Sequence, residues 1–212
     1  SMRIASICIM LLLANVGHTI DFNDVKVPFY AVVEVTDGIT PRIFDVHYDG
    51  VSKTSVIGLP PAGAPGNLRM VGYSDTSEFF LWVVNDPRKT IMTMNQKEYA
   101  KALGADFSAI KENGYIVGEK EFIGEACTHW RKDVSIEING KVENGFIESC
   151  LAHDNIPLWG KENGKLVSEI KELKRAVQSH SLFDKPAGYK VIDMSKMFEA
   201  LQAIKNTAKK LK

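Results

Sequence analysis

Phe29-Tyr30-Ala31-Val32-Val33-Glu34-Val35, then Asp37-Gly38, then Arg42-Ile43-Phe44-Asp45-Val46-His47-Tyr48, then Asp49-Gly50 and Val51-Ser52-Lys53-Thr54-Ser55-Val56-Ile57 form the stretch that decides the fold. The runs are rich in β-branched and aromatic side chains, which fit a pleated, half-buried surface. The second run alternates apolar and polar residues, the period of a strand with one face in a core. An Asp-Gly between two such runs is a hairpin signal, because both central residues of a type I′ turn need positive φ. Strands joined by tight turns are antiparallel, so the chain opens as an antiparallel sheet.

The same signature continues downstream. Pro60-Pro61-Ala62-Gly63-Ala64-Pro65-Gly66 cannot extend a ladder and is expected to be a loop. Leu68 to Tyr73, Glu78 to Val84 and Thr90 to Met94 read as strands, the last two flanking a turn at Asn85-Asp86-Pro87-Arg88-Lys89. Gln96 to Leu103 reads as a short helix stopped by Gly104. Further strands are expected over 115–122, 126–138, 145–152, 156–160 and 165–177. The turns expected among them lie at Asn113-Gly114, Asn139-Gly140, Asn144-Gly145 and Asn163-Gly164. Such spacing points to one antiparallel sheet, curved or barrel-like. The period then changes: Met194, Met197, Phe198, Leu201, Ile204 and Leu211 fall on one helical face. Asp193 suits the cap of this helix, and Lys209, Lys210 and Lys212 suit the negative end of its dipole. The helix is expected over about Asp193 to Leu211, packed on the sheet by its apolar face.

Composition bounds the class. The 212 residues are 45% hydrophobic, 25% charged and 9% aromatic, which excludes a disordered tail, collagen, a coiled coil and a polytopic membrane protein. Basic and acidic residues balance at 26 each, against a broad electrostatic attraction to nucleic acid. Arg3 precedes the apolar run Ile4 to Ala14, too short to span a bilayer but fitting a secretory signal. Residues 1–20 are therefore read as a signal segment, a buried N-terminal helix or strand being the alternative, and 21–212 as one domain, periplasmic or secreted. Cys8 lies inside the apolar run and falls within that segment. Cys127 and Cys150 remain, an even count that in an oxidising compartment is read as a disulfide.

The two cysteines sit in a hairpin whose register can be reasoned out. A two-residue turn at Asn139-Gly140 pairs residues summing to 279 and leaves the cysteines diagonal. Diagonal positions are ordinarily too far apart, since bridged Cα atoms lie at most about 7 Å apart. The expected register is thus a sum of 277, through a four-residue loop Glu137 to Gly140 or a bulge. It places Cys127, His129, Arg131, Asp133, Phe146, Glu148 and Cys150 on a mainly polar solvent face. Trp130, Val134, Ile136, Ile147 and Leu151 then form the apolar face. His129 stands opposite Glu148 as a surface pair.

No nucleotide-binding glycine loop, metal-binding histidine pair, Cys-x-x-Cys or nucleophile elbow occurs in the sequence. His18, His47, His129, His153 and His180 are scattered without metal-ligand spacing. His129, Glu148 and His153, the last beside Asp154, are the least unsuitable acid–base candidates; no catalytic residue, cofactor or metal is expected. The conspicuous chemistry is apolar. Phe79-Phe80-Leu81-Trp82-Val83-Val84 is apolar on both faces, and Met92 and Met94 share a face of the next strand. One face meets the core; the other needs core, a partner or a ligand. Phe80, Trp82, Met92, Met94, Trp130 and Ile147 are the candidate ligand-binding residues.

The order of features resembles a known family. The Phe-Leu-Trp-Val-Val strand precedes an Asp-Pro turn and a Met-rich strand. Gly124-Glu125-Ala126-Cys127-Thr128-His129-Trp130, Glu148-Ser149-Cys150, Asn155-Ile156-Pro157-Leu158 and Ser181-Leu182-Phe183-Asp184-Lys185-Pro186-Ala187-Gly188-Tyr189 follow. Over roughly residues 29–190 this resembles periplasmic proteins of unknown function with a fold like the outer-membrane lipoprotein carriers (LolA/LolB-like). The resemblance implies a half-barrel sheet with helices across its mouth, sheltering lipid or another hydrophobic small molecule. An envelope interaction module without a small ligand, with a protein partner, is the alternative.

Overall fold

The computed structural model describes residues 25–36, 41–58, 67–95, 105–138 and 140–210. The expected signal segment, the Asp37-Gly38 turn, the Pro60 to Gly66 loop and the Gln96 to Leu103 helix lie outside them. Twelve strands follow in chain order: β1 Phe29–Thr36, β2 Pro41–Tyr48, β3 Lys53–Gly58, β4 Leu68–Tyr73, β5 Glu78–Val83 and β6 Thr90–Asn95. Then come β7 Ala105–Phe122, β8 Glu125–Ile138, β9 Lys141–Ala152, β10 Pro157–Glu162, β11 Lys165–Arg175 and β12 Lys190–Asp193. A 3₁₀ turn spans His180–Phe183, and helix α1 spans Met194–Lys210. The strands form one sheet in the order β12-β6-β5-β4-β3-β2-β1-β11-β10-β9-β8-β7. It is antiparallel throughout except where β12 runs parallel to β6. The end strands β7 and β12 do not pair, so the sheet is a curved half-barrel and not a closed barrel.

Two Asn-Gly pairs sit inside strands and turn nothing. Asn113 and Gly114 pair with Asp133 and Lys132 in the middle of β7. Asn144 and Gly145 pair with Ser135 and Val134 in β9. At Gly145 the reason is space: an added Cβ would lie 2.9 Å from Asn163 Oδ1, which accepts the Phe146 N–H at 3.0 Å. The β7–β8 hairpin turns instead at Ile123-Gly124, with φ of 48° and 74°. Asn163-Gly164 turns as expected, with φ of 48° and 79°. At Asp49-Gly50 the connection is a longer loop. The Asp49 carboxylate accepts the N–H groups of Val51, Ser52 and Lys53 at 2.8–2.9 Å.

The register separates two faces. Phe29, Ala31 and Val33 of β1 pair with Tyr48, Val46 and Phe44, and these continue through Val56 and Met70 to Leu81 and Met92. His47, Ser55, Val71, Phe80 and Thr93 form the other row. Residues 176–189 cross that second row as a strap. Gln178 Oε1 meets His47 Nδ1 at 2.7 Å, and Tyr73 Oη donates to the Phe183 carbonyl at 2.7 Å. Lys185 Nζ stands 4.3 Å above the Phe80 ring, and Tyr189 packs on Val71, Phe80, Trp82 and Ile91. The strap delivers β12 to the free edge of β6.

Helix α1 begins as expected. Asp193 Oδ1 accepts the N–H groups of Ser195 at 3.0 Å and Lys196 at 3.4 Å, the cap that frees helix N–H groups from water. Its packing departs from expectation. Met194 joins Phe79 and Met94, but Met197 is 43% and Ile204 66% exposed. The helix leaves from the edge strand, and among the described side chains its first residue joins a sheet cluster. The side chains of Phe198 and Leu201 lie outside the described residues.

Candidate functional site

The cysteine hairpin has the register that reasoning from flat strands rejects. Ile138 pairs with Lys141 and Cys127 with Ala152, so partners sum to 279 and Cys150 faces His129. The disulfide nevertheless forms, with Cα atoms 5.4 Å apart. Right-handed twist shortens one of the two diagonals of an antiparallel pair, and the cysteines occupy a diagonal brought within disulfide reach. A second correction follows. Cys127 and Cys150 are 2% and 0% exposed, within the main core cluster and not on a solvent face.

His129 is buried as well. Its Nε2 lies 2.9 Å from Glu148 Oε1, and its ring meets Trp159 edge-on at 5.0 Å. The pair expected on the surface therefore exists, one register step off and inside the protein. Its Nδ1 has no partner among the described residues. An imidazole donating Nε2–H to Glu148 leaves a lone pair, not a proton, unsatisfied at Nδ1. The contact with Glu148 and the Trp159 ring fix the orientation of the imidazole. Among the described residues no group of three or more His, Cys, Asp or Glu could hold a metal.

His153 and Asp154 belong to a different cluster. Arg175, at the end of β11, forks onto Glu125 at 2.7 and 2.8 Å and onto Asp154 at 2.5 and 3.2 Å. The guanidinium bonds hold Glu125 below the usual carboxylate range. Burial pushes Asp154 up, but the Arg175 bonds outweigh it and the carboxyl is lowered. Both carboxylates raise Arg175 in turn. This triad ties the start of β8 and the β9–β10 turn to the end of β11. The sequence alone offers no signal for it, because Arg175 lies 50 positions from Glu125 and 21 from Asp154.

The six apolar candidates divide between the faces. Phe80 and Trp82, 3% and 5% exposed, lie under the strap with Val71 and Ile91 and are core. Met92 and Met94 lie on the opposite face, paired with Leu81 and Phe79. Trp130 and Ile147 share that face with the methionines. The pairing runs Trp130 to Ser149, Ser149 to Gly160, Gly160 to Ser168 and Ser168 to Val35. Trp130 points away from His129, as alternation requires. Met92, Trp130 and Ile147 are half-buried, as are Met70, Leu81 and Leu151 of the same face. The structure thus places four of the six on one face and two on the other, with Met94 buried beside Phe79.

No protein-family profile and no curated protein matches the chain. Solved structures do. An uncharacterised conserved protein of Thermus thermophilus matches with a TM-score of 0.51 at 14% identity, covering 81% of this chain and 93% of that one. MucB in complex with MucA(peri) matches at 0.47 and 13%, covering 82% of this chain and 60% of that one. Lipoprotein LppX of Mycobacterium tuberculosis matches at 0.37 and 10%, covering 83% and 98%. The likeness is one of fold. The chain spans about three-fifths of that MucB structure. Among the described residues no helix is long and apolar enough to cross a membrane.

Proposed function

We propose that this is an extracytoplasmic, non-enzymatic binding protein that holds a lipid or another hydrophobic small molecule on the sheet face opposite the strap. One observation carries the reading: Met70, Leu81, Met92, Trp130, Ile147 and Leu151 all stand on that face half-buried, although they are apolar. Apolar area left partly in water on a single face is favourable to cover, at about 25 cal/mol per Å². On the same face Phe79 and Met94 pack with Met194 of the capped helix, and Phe29, Ala31, Val46 and Val56 are buried. The opposite row needs no ligand, since the strap already covers Phe80 and Trp82. Domain extent over residues 21–212 and export to the periplasm or exterior belong to this proposal.

Native mass spectrometry of the protein purified from an exporting host tests it. Co-purified acyl-chain species, displaced by Trp130→Glu or Ile147→Glu but retained by a substitution of exposed Val177, are expected. A protein that carries no ligand, and whose Trp fluorescence does not respond to added fatty acid or phospholipid, favours an envelope interaction module instead.

A further inference from the structure

Beside the disulfide lies a buried nitrogen with nothing to bind. His129 is 6% exposed and pairs with Cys150 across the β8–β9 ladder. Directly opposed residues hold their Cβ atoms about 4.5–5.5 Å apart, so the imidazole and the Cys150 sulfur are neighbours on one face. Glu148, the partner of Arg131, lies one step along that face from His129, and Cys127 lies one step the other way. The two ring nitrogens sit on different edges of the imidazole. Nε2 takes the edge towards Glu148, 2.9 Å from Oε1, and the ring meets Trp159, itself the β10 partner of Cys150. A carboxylate only accepts, so Nε2 carries the ring proton and Nδ1 keeps a lone pair. That lone pair lies on the edge turned from Glu148 and has no partner among the described residues. The buried groups one step that way and directly opposite are Cys127 and Cys150, and a disulfide sulfur has no proton to give.

We infer that Cys127 and Cys150 are a redox-responsive couple whose reduced form is held by His129, the Cys150 thiol donating its S–H to Nδ1 and completing a Cys150–His129–Glu148 chain of hydrogen bonds. The co-reactant is a dithiol. Its two thiols are oxidised to a disulfide, while the Cys127–Cys150 bond breaks and takes up two electrons and two protons, one proton on each sulfur. The oxidised form leaves a buried acceptor bare and the reduced form satisfies it, so His129 draws the equilibrium towards the two thiols. The Cys127 thiol needs no partner, because a buried S–H packs as a small apolar group. Burial slows the exchange without moving its equilibrium, since the dithiol reaches the sulfurs when the hairpin opens.

Two measurements on the folded protein test this. In the first, the ring nitrogens of isotope-labelled histidine are followed by NMR before and after reduction with dithiothreitol. The His129 Nδ1 signal is expected to move upfield as it gains a donor, with an unchanged circular dichroism spectrum. In the second, the parent and His129→Phe are equilibrated in mixtures of reduced and oxidised dithiothreitol, and thiols are counted by alkylation. The variant leaves Glu148 without its histidine in both redox states alike, so the comparison reads the sulfur contact. It is expected to need an about fivefold higher ratio of reduced to oxidised reagent, the worth of one hydrogen bond. An Nδ1 signal that reduction leaves in place overturns the inference, whether or not the variant folds. So does reduction that unfolds the parent, or a folded variant whose ratio equals the parent's.

Discussion

Removing the disulfide gives a test of both its energy and its position. Cys127 and Cys150 are 23 residues apart, and cross-linking that loop removes unfolded-state entropy worth roughly 3–4 kcal/mol at 25 °C on the chain-entropy account. The replacement of both by Ala leaves small apolar groups in a buried site, so no unsatisfied polar group is added. The Cys127→Ala/Cys150→Ala variant is expected to lose about 3 kcal/mol. For a chain of this size that corresponds to a Tm about 6–12 °C lower. In urea the slope should also rise, since an uncrosslinked unfolded chain exposes more surface. Burial adds a kinetic expectation. With the cysteines 2% and 0% exposed, a thiolate reaches the bond only when the hairpin opens. Native protein in dithiothreitol should stay oxidised for far longer than protein in denaturant. Thermal and urea melts followed by circular dichroism, with thiol alkylation over time, measure both. A double variant within about 1 kcal/mol of the parent would refute the energetic argument. Native reduction as fast as reduction of the unfolded chain would refute the burial.

Ile123 holds φ at 48° in the β7–β8 turn, a region costly for a β-branched side chain by about 1–2 kcal/mol. Ile123→Asn is expected to stabilise by about 1 kcal/mol in urea melts, and a loss of stability counts against the turn as drawn. Arg175→Met should cost about 2 kcal/mol at neutral pH, because it strands two partly buried carboxylates. Glu125 and Asp154 are both lowered in the fold, so their contribution is present above about pH 4 and is lost as pH falls through their folded values. The gap between parent and variant should therefore close in acid melts below about pH 4, and a gap that widens there counts against the triad. Trp82→Ala, in filled core, should cost about 3–5 kcal/mol, whereas half-buried Trp130→Ala should cost about half as much. Equal losses would place Trp130 in a filled core.

Legibility in the sequence followed the range of each interaction. Alternation in Arg42 to Tyr48 named a strand, and Asn163-Gly164 named a turn, because both depend on neighbours a few positions away. The Asp193 cap and the helix after it were legible for the same reason. Asn113-Gly114 carries the same local signal and misleads, because pairing with Asp133 and Lys132 of β8 holds those two residues extended. The four-residue strand β12 carries no pattern long enough to read, and it exists because the strap brings it to the edge of β6.

The candidate site divides along the same line. Which residues share a strand face is a property of the backbone period, so the sequence alone determined that Trp130 opposes His129 and that Met92 accompanies Met94. Which of the two faces is covered depends on segments arriving from elsewhere. The strap from residues 176–189 turned Phe80 and Trp82 into core, and Cys127, Cys150 and His129 are buried although Arg131 and Glu148 on the same strand faces are polar. The disulfide itself rests on sheet twist, which accumulates over many strands and shortens a diagonal that a pair of flat strands would leave open. Sequence determines period and turn chemistry because these act through adjacent φ and ψ; tertiary structure decides burial, because burial requires a second surface.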